Sequence, residues 1–149
     1  MAQAAVAYRE RECSASLPDV RAMLDALRTL VLAAFYRLPF RVDVVDHDPY
    51  VDVGAMVADV ANGRMLVWSG ASEGLSQWDA RTNWAFRAVH DWDHIRYGLD
   101  FSFGGEREAF RAIAARYPQL APVLYSEIVL QAAYAGYYGA FAPQKVVML

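Results

Sequence analysis

Apolar residues recur at helical spacing over residues 17–37, where Val20, Leu24, Leu27, Val31 and Phe35 fall on one face. Pro18 belongs in a first turn, Ser16 is the candidate N-cap, and Pro39 ends the helix. Residues 40–45 alternate and are β-branched, so they read as a short strand. A helix over residues 51–61, the Asn62-Gly63 turn and a second short strand over residues 65–68 follow. Residues 70–74 read as a loop, and a long helix spans residues 79–97. Gly104-Gly105 opens another helix that runs to Arg116 and stops before Pro118, and a last helix spans residues 121–138. The expectation is a mainly α fold: one helical domain over residues 1–149, with a small β element of two short strands in its first half.

A chain of 149 residues with 56% hydrophobic and 13% aromatic content buries a core without disulfides or metal staples, so a metal here is functional before it is structural. No 18-residue apolar run is present, and the stretch around residues 24–35 is broken by Asp25 and Arg28. The N-terminal residues lack the apolar centre of a signal peptide, and the single Cys13 has no partner for a disulfide. Both suit a cytoplasmic setting. The net charge is −3, with arginines dispersed among acids, so no nucleic-acid interface is expected. The apolar tail ending in VVML is expected to pack back on the domain or on a second subunit of a homo-oligomer.

The chemistry concentrates on the long helix. At about 100° per residue, Asn83, Arg87, His90, Asp91 and His94 share one arc. Trp84, Ala88, Trp92, Ile95 and Leu99 take the opposite, apolar side. The polar stripe reads as the lining of a cleft. His90 and His94 are four residues apart, so both imidazoles reach one divalent ion, as on the HExxH helix of zinc proteases, and nearby carboxylates complete the shell. Glu106 shares a helix stripe with Phe110, Ile113 and Tyr117 and therefore points inward, while Gly104 and Gly105 before it are expected to leave space for an ion or substrate. Glu127 and Gln131 are the strongly polar side chains of the last helix. A buried carboxylate at Glu127 needs a cation or donor: Arg87, a protonated histidine or the metal itself. Glu127 is the candidate base, held by Gln131, with Arg87 beside it; a ligand role for Glu127 in place of Asp91 is the alternative.

The expected ligands are thus His90, Asp91, His94 and Glu106. The mixed nitrogen and oxygen set suits zinc best, with iron(II) or manganese also compatible. The reading is a metalloenzyme, a hydrolase or lyase, that activates water or polarises a small-molecule substrate. A second reading joins His47 to His90-Asp91 in an HD-type phosphohydrolase, with Glu127 replacing the late Asp of that architecture. A third is a binding protein with a structural ion or a histidine network.

HDxxH, eleven residues and then Glu resembles the zinc-binding signature of the ubiquinone-biosynthesis Coq4 family, and His90, Asp91, His94 and Glu106 match it position by position, as does the Gly before the Glu. The resemblance covers about 17 residues. It implies a mainly helical fold, these four residues as zinc ligands, and chemistry at the C1 carboxyl of a prenylated aromatic ring. NWAFRAVHDWDH with GGE, EIVLQ and the final QK also resembles small proteins encoded in phage genomes, a likeness that implies no function.

Overall fold

A computed structural model describes residues 1–70 and 78–149. The fold is mainly α, with a two-stranded sheet in the first half. Helix α1 (Ala2–Glu10) has no counterpart in the sequence reading: its apolar residues are mostly alanine and give no strong face. Packing against the last helix stabilises it, with Ala5 and Tyr8 wholly buried. Helix α2 (Pro18–Phe35) buries Val20, Leu24, Leu27 and Val31, the face that the spacing marks. Its N-cap position is Leu17 rather than Ser16, and no side chain caps it. Pro18 stands at the first helical position, where its missing N–H leaves one orphan donor fewer to satisfy.

Strands β1 (Arg41–Val45) and β2 (Arg64–Trp68) pair in parallel, Arg41 opposite Arg64 and Val45 opposite Trp68. Parallel pairing needs a crossover, and α3 (Val53–Ala61) supplies it. The Asp52 carboxylate caps α3 by accepting from the Ala55 N–H, and Gly63, at φ 80°, turns the chain into β2. Met56, Met65 and Val67 of this unit are buried against Ala88, with Trp84, Trp92 and Ile95 around them. Burying each such side chain contributes about 1.5–3 kcal/mol. That contact fixes the apolar face of α4 (Ala80–Tyr97) against the sheet. Asp79 caps α4, its carboxylate accepting from the Thr82 N–H at 2.7 Å, and Gly98 at φ 64° closes it. The expected loop over residues 70–74 lies largely outside the described residues.

Ala85 and Phe86 of α4 enter the main core with α2, α5 (Phe103–Arg116) and the C-terminal helical run. That run begins with a 3-10 turn (Pro118–Leu120), passes through α6 (Ala121–Leu124) and a π-helical turn (Tyr125–Leu130), and ends as α7 (Gln131–Tyr138). Sequence spacing reads this stretch as one regular helix; the π turn inserts a wider loop of backbone in its middle, a feature frequent at functional sites. Beyond Gly139 the tail folds back, burying Val146 and Val147. The Val147 N–H donates to Ser126 Oγ at 2.9 Å, and the Ser14 N–H to the Val146 carbonyl at 2.7 Å. Among the described residues no helix is long and apolar enough to cross a membrane.

Candidate metal centre

His90 and His94 lie one turn apart on α4, and their Nε2 atoms approach to 3.2 Å with the rings nearly perpendicular. Glu106, in the first turn and a half of α5, brings Oε2 to 2.9 Å from His90 Nε2 and 3.5 Å from His94 Nε2. Such a set could hold a metal ion, all three donor atoms lying within 4.8 Å of one another. Donors at ~2.0–2.1 Å from a tetrahedral ion stand ~3.3 Å apart, the middle of the spread seen here. Phe86 stacks parallel to the His90 ring, and Phe101 tilts against His94, so both imidazoles are held by aromatic faces. Nδ1 of both histidines is buried, with no hydrogen-bond partner among the described residues.

The electrostatics follow from this packing. Burial works against the imidazolium of His90, but the Glu106 charge and hydrogen bond, aided by Asp91 and Asp93, outweigh it and raise the pKa above the ordinary histidine value. Burial would raise the Glu106 carboxyl; the charges and hydrogen bonds of His90 and His94 instead hold it down to about 2. Asp91 is raised to about 6, chiefly by burial, with His90, His94 and Arg87 offsetting only part of that cost.

Three local devices place Glu106 opposite the histidines. Ser102 caps α5, its Oγ accepting from the Gly105 N–H at 3.1 Å while donating to Asp100. Gly105 packs against the loop before it: a Cβ there would lie 2.1 Å from the Asp100 carbonyl oxygen. Gly105 therefore leaves no space for an ion or substrate, contrary to the sequence expectation, while a Cβ on Gly104 would meet only Ser102 Oγ at 3.4 Å. The place of a Gly105 side chain is filled by Asp100, and the glycine pair stands in the first turn of α5, one residue after its start, as the sequence reading has it opening that helix. Finally, Asp93, which sequence reading missed, is 3% exposed and pairs with Arg116 of α5 at 3.2 Å and with Arg96 at 3.5 Å, tying together the two helices that carry the histidines and Glu106. A buried acid between two histidines was its only sequence signal.

Beside the donor atoms opens a cavity of about 360 Å³. Asn83, Arg87, His90 and Asp91 of the polar stripe line it, together with Glu106, Glu127 and Gln131. The stripe thus faces a cleft, as its composition implied, while His94 lies wholly buried behind it. Asp91 faces the same cavity but is not in the group of converging donors. Glu127 sits in the π turn, 6% exposed, and accepts from Gln131 Nε2 at 2.9 Å; Gln144 of the tail in turn donates to Gln131 Oε1 at 3.2 Å. Arg87 Nη1 donates to the carbonyls of Trp68 and Gly70, both at 2.7 Å, which anchors the end of β2 to α4. Burial lowers its pKa, and Asp91 and Glu127 counter that. His47 stands apart: its side chain is exposed, pairs with neighbouring Asp46 and does not line the cavity. Comparison of the chain with protein-family models, curated proteins and solved structures returned no match.

Proposed function

We propose that the protein is a metalloenzyme, a hydrolase or lyase for a small molecule, in which His90, His94 and Glu106 hold one divalent ion. The observation that carries the reading is the convergence of three donor atoms from two helices at the wall of a cavity. Two imidazoles and one carboxylate are the ligand set of many catalytic zinc sites, and also suit iron(II). Zinc is the ion we favour. A bound ion of this class polarises a substrate oxygen or lowers the pKa of a coordinated water to about 7.

The chain's own groups then divide the work. His94, sealed from solvent, would hold the ion from the interior, and His90 and Glu106, which line the cavity, would hold it at the wall. Asp91, a fourth ligand in the sequence reading and by the Coq4 resemblance, lines the cavity outside the group of converging donors and acts in this reading as a proton acceptor. Glu127, oriented by Gln131, is a second carboxylate for the same proton traffic. Arg87 holds β2 in place and balances these two charges. The phosphohydrolase alternative has less support, because His47 lies outside the cavity.

The test is elemental analysis of protein purified without a histidine tag. Wild type and Asp91→Asn are expected to carry one equivalent of zinc, and His94→Ala and Glu106→Gln to lose it. Equal metal content in all four, or none in the wild type after zinc reconstitution, would overturn the reading.

A further inference from the structure

The walls of the cavity also carry a charge and shape preference. Apart from the ion's own ligands, the ionisable side chains that line it among the described residues are Asp91 and Arg87 of α4, Glu127 of the π turn, and Asp48 and Tyr50 before α3. Arg87, the only Arg or Lys lining it among the described residues, is turned on the main-chain carbonyls of Trp68 and Gly70 and balanced by Asp91 and Glu127. Among the described side chains no Arg or Lys is therefore left over to receive an anionic substrate, and the ion itself would be the one cation open to it. The remaining lining includes aromatic rings and amides among aliphatic side chains: Trp68 and Phe141 pack at 4.4 Å between ring centroids, Phe101 lines the same cavity, and Gln131 and Gln144 bring side-chain amides to it. Aromatic faces take flat rings, and amides with carboxylates take N–H donors.

We infer that the cavity accepts a flat aromatic compound bearing an uncharged or cationic nitrogen group, and disfavours carboxylated or phosphorylated rings. The assignment rests on reading this cavity as the substrate site of the metal centre. Glu127 and Asp91 receive the N–H donors of the substrate's amidine, amide or amino group. The ring lies against Trp68 and Phe101. A carboxylate in the place of that nitrogen group, against Asp91 and Glu127, meets two like charges instead of two acceptors.

The experiment is calorimetric titration of zinc-loaded protein at pH 8, its metal content measured in the same sample, with three near-isosteric probes: benzamidine, benzamide and benzoate. Cyclohexanecarboxamidine, of equal charge but puckered, tests flatness. Benzamidine is expected to bind at least tenfold more tightly than benzoate and several-fold more tightly than the cyclohexyl compound, with benzamide between. Glu127→Gln and Asp91→Asn are each expected to shrink the benzamidine-to-benzoate ratio several-fold. Benzoate binding as tightly as benzamidine, or no probe binding at millimolar concentration, would overturn the inference while leaving a measured metal intact. Preference for benzamidine in protein that takes up no metal would support the cavity's selectivity and remove the metal centre instead.

Discussion

Gly105→Ala is the sharpest single-atom perturbation of the centre. The added methyl would lie 2.1 Å from the Asp100 carbonyl oxygen and 2.6 Å from its Oδ1, against a backbone atom that cannot rotate away. Relief to a tolerable contact of ~3 Å moves the start of α5 by about 1 Å, at the 1–3 kcal/mol usual for overpacking. Removing a helical glycine returns about 0.5–1 kcal/mol. The net loss is about 1–2 kcal/mol, a fall in Tm of roughly 2–8 °C for a chain of this size. The larger consequence is positional. Glu106 is the next residue, and a ~1 Å shift is several times the ~0.2 Å tolerance of a metal–ligand bond, so zinc affinity falls along with stability. Gly104→Ala is the control: its Cβ would meet only Ser102 Oγ, at 3.4 Å, so it should leave zinc binding unchanged and raise Tm by a few degrees. Differential scanning fluorimetry and a zinc-chelator competition read both quantities. Gly105→Ala matching Gly104→Ala in stability and zinc affinity would refute the claim that this close approach sets Glu106.

The buried Asp93 should act through position rather than contact. Asp93→Asn is expected to weaken zinc binding about 10–100-fold, and a double-mutant cycle with Arg116→Ala should give a coupling of about 1 kcal/mol; additive losses would break the link between α4 and α5. Tyr8 Oη donates to the tail, with the Pro143 carbonyl at 2.6 Å, so Tyr8→Phe should cost about 1–2 kcal/mol and speed amide exchange at Val147, unchanged exchange counting against a tethered tail. Ser102 hydrogen bonds lower the Asp100 pKa below the usual aspartate value, so their stabilisation is present above that value and lost as pH falls through the lower, folded one. Ser102→Ala should therefore flatten the acid side of the Tm–pH profile below about pH 5, and an unaltered slope would contradict it.

Much of this arrangement is written in residue spacing. The α2 face and both strands follow from local periodicity, and the polar stripe on α4 correctly marks a cleft, because a helix packed by Trp84, Ala88 and Trp92 on one side must present its other residues elsewhere. The pairing of Glu127 with Gln131 was legible for the same reason, a four-residue step. What spacing hides depends on distant chain. Helix α1 has little amphipathic character and is stabilised by α7; the π turn leaves no period of its own; and the role of Gly105 is set by Asp100, visible only once the loop is folded. Asp93 carries no spacing signal of its own, and its role comes from its burial against Arg116 of α5.

The most direct test of the central claim is a crystal grown with zinc, with anomalous data collected on both sides of the zinc edge. The account predicts one strong peak about 2.0–2.2 Å from Nε2 of His90, Nε2 of His94 and a carboxylate oxygen of Glu106. A peak bound elsewhere, or none while the 3.2 Å contact between the two Nε2 atoms persists, would contradict it.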